Sequence, residues 1–251
     1  MVIYVGTAAT RVATQWLQID HKLAAGPLAV GVVTLALVIC ADLGEYISHA
    51  VQHRVPMLWE FHKVHHSALF LTPLTTFRTH PVGNFVDGVF MGLAQVIPAA
   101  LAQMLFGFSF LELIGMTAAG QLVFSVVLMT TLQHSHFPIS YGVLDRLVMS
   151  PLMHQVHHSA KREHWGKNLG SLFSVWDWCF GTGVKLPKGE KLVFGLGTPE
   201  DARGDYSKFW WCYVGPVVHC YRIVRRALGR RGAASAGEIP AGAPPQANPG
   251  V

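Results

Sequence analysis

The sequence predicts an all-α protein, a multi-pass transmembrane helical bundle with a cytosolic, histidine-rich cap. Three observations predict it. Hydrophobic residues make up 51 % of the chain and charged residues only 13 %, about half the share of an ordinary soluble domain. Long uncharged stretches recur at residues 23–41 and 88–111, each sufficient for an apolar helix to span a bilayer at 1.5 Å rise per residue. The third observation is a near repeat: residues 62–68 read His-Lys-Val-His-His-Ser-Ala, and residues 154–160 read His-Gln-Val-His-His-Ser-Ala.

Taken in order, residues 1–22 are mildly apolar but carry Arg11, Gln15, Gln18, Asp20 and Lys22, and read as an interfacial segment. Broken by Arg11 and lacking a basic start, this segment does not read as a signal peptide. The first span, 23–41, continues at helical spacing through Asp42, Glu45, His49 and His53, so its helix emerges from the bilayer with polar groups along one face. Pro56 marks a new first turn, and the first heptad follows it. The second span, 88–111, contains Pro98, which predicts a kink. Ser109 and Glu112 form a capping-box pattern that opens a third span over 110–132. Spans two and three then make a hairpin, whose return brings His134 and His136 to the face that carries His49 and His62. Ser150-Pro151 starts the helix of the second heptad. Residues 23–183 form the membrane-embedded unit. Residues 184–228 read as a turn-rich extension with an aromatic interfacial helix at 209–224, and 229–251, dominated by Ala, Gly and Pro, as a disordered tail.

Arg54, Lys63, Arg78, Lys161, Arg162 and the arginines from 222 to 231 share the histidine face, which the positive-inside rule makes cytoplasmic. The net charge of +5 is concentrated in that tail, which suits anionic lipid better than nucleic acid. The four cysteines form no close pair and read as reduced thiols.

Each heptad sets three imidazoles at i, i+3 and i+4 on one helical face, and His49 and His53 add a pair at i, i+4. A single histidine on a helix face is commonly a hydrogen-bonded core residue. Three recurring in one order answer no packing need. Imidazole suits Zn, Cu, Fe and Ni, and one metal takes three or four protein ligands, so eight clustered histidines imply two metals. Asp42 and Glu45 read either as partners orienting a ligand imidazole or as a helix end meeting water. His80 and His164 read as loop histidines beside the clusters, and Asn168, Trp176 and Asp177 as turn and packing residues. His21 and His219 lie apart from them. A metal transporter is the alternative to an enzyme, but it would place ionisable residues inside its spans, and these spans are clean.

The histidine set and its flanks resemble the fatty acid hydroxylase and sterol desaturase superfamily. The resemblance rests on Asp42-x3-Tyr46-x2-His49, Leu58-Trp59-x-Phe61-His62-x-Val64-His65-His66-Ser67, Arg78-Thr79-His80-Pro81, Gln133-His134-Ser135, Asn168-x-Gly170 and Trp176-Asp177-x2-Phe180-Gly181-Thr182. It implies a diiron site ligated by His49, His53, His62, His65, His66, His134, His154, His157 and His158, with His136 an extra ligand or a bystander. It also implies an enzyme that uses O2 and two electrons to hydroxylate or desaturate a lipid C–H bond. The sterol, hopanoid or acyl nature of that lipid stays open. No glycine-rich dinucleotide fingerprint and no haem domain are evident, so electrons come from a separate donor, a b-type cytochrome or a ferredoxin with its reductase. Substrate enters laterally from the bilayer beneath the histidine cap.

Overall fold

Prolines start most of the helices that matter. At the first helical position the missing N–H is one the helix would leave unpaired in any case, and the fixed φ is already helical. In the computed structural model Pro27, Pro56, Pro81 and Pro151 open α1 (Pro27–Arg54), α2 (Pro56–His66), α3 (Pro81–Ala94) and, later, the short helix of the second heptad. Between them come α4 (Val96–Phe106) and α5 (Phe110–Val127); the second-heptad helix is α6 (Pro151–His157), followed by α7 (Val175–Cys179), α8 (Pro199–Ala202) and α9 (Trp211–Ser235). The structure describes residues 23–187 and 189–235, with Val12, Gln15 and Trp16. The interfacial reading of 1–22 otherwise lies outside the described residues, as does the tail beyond 235.

Among the described residues the secondary structure is helical, with one isolated bridge between Ser159 and Phe194 and no strand. Two helices, α1 and α5, are long and apolar enough to cross a membrane, and α3 with α4 makes a third if the bent pair counts as one span. The bend is 45° and falls at Gln95 rather than at Pro98. Pro98 has no N–H to offer the Ala94 carbonyl one turn back, so the ladder breaks there. The Gln95 amide fills the break, donating to the Leu37 carbonyl at 3.1 Å and to the Thr117 hydroxyl at 3.0 Å.

Three expected boundaries shift. The second span starts at Pro81 rather than residue 88, which draws Asp87 into its helix. The third ends at Val127 rather than 132, because Met129 takes a left-handed conformation (φ 49°) and Thr130–Leu132 turns as a 3-10 helix. The C-terminal helix, expected over 209–224, runs from Trp211 to Ser235, past the point where the Ala/Gly/Pro composition suggested disorder. The capping box at Ser109 and Glu112 is formed in both directions, behind a left-handed Gly107.

Helix α1 is the axis, packing against α2, α3, α4 and α5. Val33 and Leu37 of α1 meet Ala99, Ala102, Phe108 and Leu113 in one core. Outward, α5 presents Leu111, Leu122, Val123 and Val126, each more than half exposed, an apolar surface suited to lipid. Where α1 crosses its neighbours, glycines permit the approach. A Cβ on Gly44 would stand 2.6 Å from the Phe90 carbonyl oxygen of α3, and one on Gly120 of α5 would stand 2.5 Å from Val38. The α1 stretch from Pro27 to His49 rises about 33 Å, a bilayer core's thickness, so its histidines emerge at one end.

The Gly44 contact is with backbone and cannot be relieved by a rotamer change. Gly44→Val is therefore expected to destabilise the protein by about 1–3 kcal/mol, whereas Gly115→Val, with nothing within 4 Å, leaves thermal unfolding in detergent unchanged. Equal midpoints for the two variants would contradict the close α1–α3 crossing.

Candidate metal centre

The histidines meet at the end of α1, where α2 and α6 bring in their triplets from opposite sides. Nine imidazoles separate into two groups, His49, His53, His62, His66 and His157 in one, and His65, His134, His154 and His158 in the other. Within each group one nitrogen per residue lies within 4.8 Å of all the others. The division follows the helical spacing. Each triplet gives its i, i+4 pair to one group and its i+3 member to the other: His62 and His66 join His157, while His154 and His158 join His65. His49 and His53 of α1 complete the first group, and His134 completes the second. The groups abut, with the rings of His66 and His158 stacked at 4.6 Å.

In His49 and His157 the inward nitrogen is fixed by a hydrogen bond on the far side of the ring. His49 Nδ1 lies 2.7 Å from the Leu169 carbonyl and His157 Nδ1 lies 2.8 Å from that of Lys167. A carbonyl only accepts, so both Nδ1 atoms carry the proton and both Nε2 atoms present a lone pair. These Nε2 atoms are buried without a partner, as is Nε2 of His53. In the second group Nε2 of His134 stands 3.0 Å from Nε2 of both His65 and His154, and His154 and His158 approach to 3.2 Å through the same atoms. Ring nitrogens this close either share a proton or surround a cation. About 3.3 Å is the separation expected of nitrogens bound tetrahedrally at about 2.0–2.1 Å to one metal. The donor set fits two metal ions.

Burial holds the rings neutral, the form a metal requires. Loss of solvent, then the neighbouring histidines, pushes His62, His65, His66, His154, His157 and His158 well below the ordinary histidine value. His134 is lowered to about 4, again chiefly by burial.

The carbonyls that orient His49 and His157 belong to a loop, and three polar side chains fix that loop. Asp177 accepts from the Leu169 and Gly170 N–H groups at 2.7 and 2.9 Å and from the Thr182 hydroxyl. Asn168, in the left-handed region at φ 51°, donates to the Met153 and Val184 carbonyls and accepts from the Val184 N–H. Asp42 reaches from α1 to accept from Leu172 N–H, Phe173 N–H and the Trp176 indole. Asp42 is thus a positioning group and is not merely a helix end meeting water. Asn168 and Asp177 hydrogen-bond the loop whose carbonyls meet His49 and His157. Thr76, whose hydroxyl lies 3.0 Å from His134 Nδ1, was not apparent in the sequence.

The remaining candidates fall outside both groups. His80 caps α3, its Nδ1 accepting from Val82 N–H while Nε2 donates to the Tyr213 carbonyl. His136 is exposed and packs on Phe137. His164 is buried beside Glu190 at 3.7 Å. His219 ties α9 to α2 through Glu60, 2.8 Å away. His21 lies outside the described residues.

A cavity of about 360 Å³ opens onto both groups, reaching His49 and His62 of the first and His65, His134 and His154 of the second. Helices α1, α3 and α5 supply its other walls.

Among the described residues the chain is helical and carries, at the end of membrane-length helices, two histidine groups that could each hold a metal ion. Its sequence from residue 34 to 182 matches the model of the fatty acid hydroxylase family, and the chain belongs to that family. It is 31 % identical over 179 residues to an ornithine lipid hydroxylase, OlsE, of Rhizobium tropici, covering 71 % of this chain and 49 % of that protein. It is 26 % identical over 159 residues to an alkylglycerol monooxygenase of Danio rerio, and 27 % identical to that of Homo sapiens, covering 63 % of this chain and 31 and 32 % of theirs. The chain thus spans half or less of the length of these relatives. No solved structure matches it.

Removing the carboxylate of Asp177 frees the Leu169 and Gly170 N–H groups and lets the Leu169 carbonyl drift from His49. Asp177→Ala is expected to weaken metal binding by about 10–100-fold, read as metal retained after dialysis against a graded chelator. Glu112→Ala, remote at the exposed capping box, should leave metal retention unchanged. Equal retention in wild type and Asp177→Ala would remove the loop from the account.

Proposed function

We propose that this protein is an O2-dependent membrane oxidoreductase that holds two iron ions and hydroxylates a C–H bond of a lipid. The observation that carries the reading is the paired site: nine imidazoles gathered in two groups, five of them lining one cavity. The nine are His49, His53, His62, His66 and His157 for one ion, and His65, His134, His154 and His158 for the other. Iron bound there would supply O2 activation and the oxidising power that an unactivated C–H bond demands and that no side chain has. Overall, a C–H bond, O2, two electrons and two protons give an alcohol and water. The electrons come from a separate donor, a b-type cytochrome or a ferredoxin with its reductase.

The residues of the chain bind, orient and shield. Asp177, Asn168 and Asp42 hold the loop whose carbonyls fix His49 and His157, so the rings cannot turn their lone pairs away. Phe61 and Leu172 supply the large apolar side chains of a cavity lined otherwise mostly by polar groups. The substrate enters from the bilayer between α1, α3 and α5, which form a multi-pass bundle with the histidine cap on the cytoplasmic side. Arg54, Lys63, Arg78, Lys161 and Arg162 support that orientation. Hydroxylation is preferred to desaturation because the named relatives are a hydroxylase and monooxygenases. Lipid oxidation is preferred to metal transport because the histidines close two compact sites and leave the apolar first half of α1 without a polar pathway.

Comparative mass spectrometry of lipids from cells with and without the protein tests this reading. A lipid class gaining one oxygen is expected, and the gain should vanish with His65→Ala or His157→Ala while both variants still reach the membrane. An unchanged lipid profile with the intact, metal-loaded protein and its electron donor would reject it.

A further inference from the structure

The cavity beside the histidines is unlike a hydrocarbon pocket. Two carboxylates line it, Glu45 of α1 and Asp87 of α3, and no lysine or arginine does. Among the described residues neither carboxylate forms an ion pair. The side chains that bond Asp87 are neutral: Ser48 Oγ and Gln52 Nε2 donate to its Oδ1 at 2.6 and 2.7 Å, and the neutral Ser171 lines the cavity with Glu45. A carboxylate between membrane-length helices is costly and marks a functional site when its counter-charge is missing.

A second observation points the same way. Gln52 is only 1 % exposed and lines the same cavity. Its Nε2 is committed to Asp87 and to Ser48 at 3.2 Å, which fixes the orientation of the amide, since an oxygen would not face the carboxylate. Its Oε1 is therefore an acceptor with no donor. It points past Gly83, another cavity residue, where any Cβ would stand 3.0 Å from it. Two carboxylates and an orphan carbonyl oxygen ask for a ligand that is cationic and offers several N–H donors. A primary ammonium has both properties.

We propose that this cavity binds the ammonium-bearing head of an amino lipid, with Glu45 and Asp87 as its counter-charges and Gln52 Oε1 as a further acceptor. The proposal rests on the lipid-oxidising reading above and names its substrate class. An amino lipid is held with its head, rather than the end of its hydrocarbon chain, beside the two histidine groups. The alternative source of positive charge is the metal pair itself, with the carboxylates serving as its counter-ions.

Binding without turnover separates these. The probes are dodecylammonium and its N-acetyl derivative, which differ in charge, head size and the number of N–H donors, added in nonionic detergent to the metal-loaded protein without electron donor. The unmodified protein is expected to bind the ammonium probe at least about tenfold more tightly, the size of one charge-assisted hydrogen bond. The double variant Glu45→Gln, Asp87→Asn should lose that preference and keep its metal content, and Asp87→Asn alone should lose part of it. Equal binding of both probes by the unmodified protein overturns the proposal, a result that needs no variant to fold. Metal lost together with the preference also overturns it, assigning the carboxylates to the metals. Neither readout uses O2, so a protein that discriminates the probes yet oxidises no lipid would reject the proposed reaction and leave the ammonium site standing.

Discussion

Nine imidazoles packed into two groups, six of them buried, are the constraint on which the rest of the structure depends. Each ring must be neutral, must present a particular nitrogen, and must be held from behind. Burial supplies the neutrality. The carbonyls of Leu169 and Lys167 supply the tautomer for His49 and His157, and Thr76 stands behind His134. Asp177, Asn168 and Asp42 in turn keep the 167–173 loop in place. Ring nitrogens this close share protons or surround a cation, and both groups have the donor set that could hold a metal ion.

The helices translate that constraint into topology. One turn of α2 and one of α6 serve both groups because i and i+4 align while i+3 leans to the side. Helix α1 is long enough to cross an apolar layer and still deliver His49 and His53. Close contact at Gly44 keeps α3 against it, and the same contact sets the cavity walls, placing Glu45, Gln52 and Asp87 under the histidines. The Gln95 break and the left-handed Met129 shape the hairpin that returns the chain to His134.

Eight of the nine clustered histidines were legible in the sequence because local periodicity carries them, in a repeated i, i+3, i+4 spelling and an i, i+4 pair, and His134 through the hairpin return and flanks that resemble a known family. What holds them was less legible. The acceptors behind His49 and His157 are backbone carbonyls, which every residue has, and Asp42 meets its partners across 130 positions of chain. Asp87 escaped notice as an intramembrane charge because the uncharged stretch begins just after it, while the helix begins at Pro81. His80, His136 and His164 show the converse. Nearness in sequence to a cluster did not bring them into it, since a cap, an exposed loop and an ion-pair contact claimed them instead.

The central claim is two metal ions bound by imidazole alone. Iron content and X-ray absorption of the protein purified without chelator test it most directly. The account predicts close to two irons per chain with a nitrogen shell and the outer-shell scattering of histidine. One of the two should be lost selectively in His53→Ala and the other in His134→Ala. A single metal per chain, a carboxylate- or sulfur-dominated shell, or full retention in both variants would contradict it.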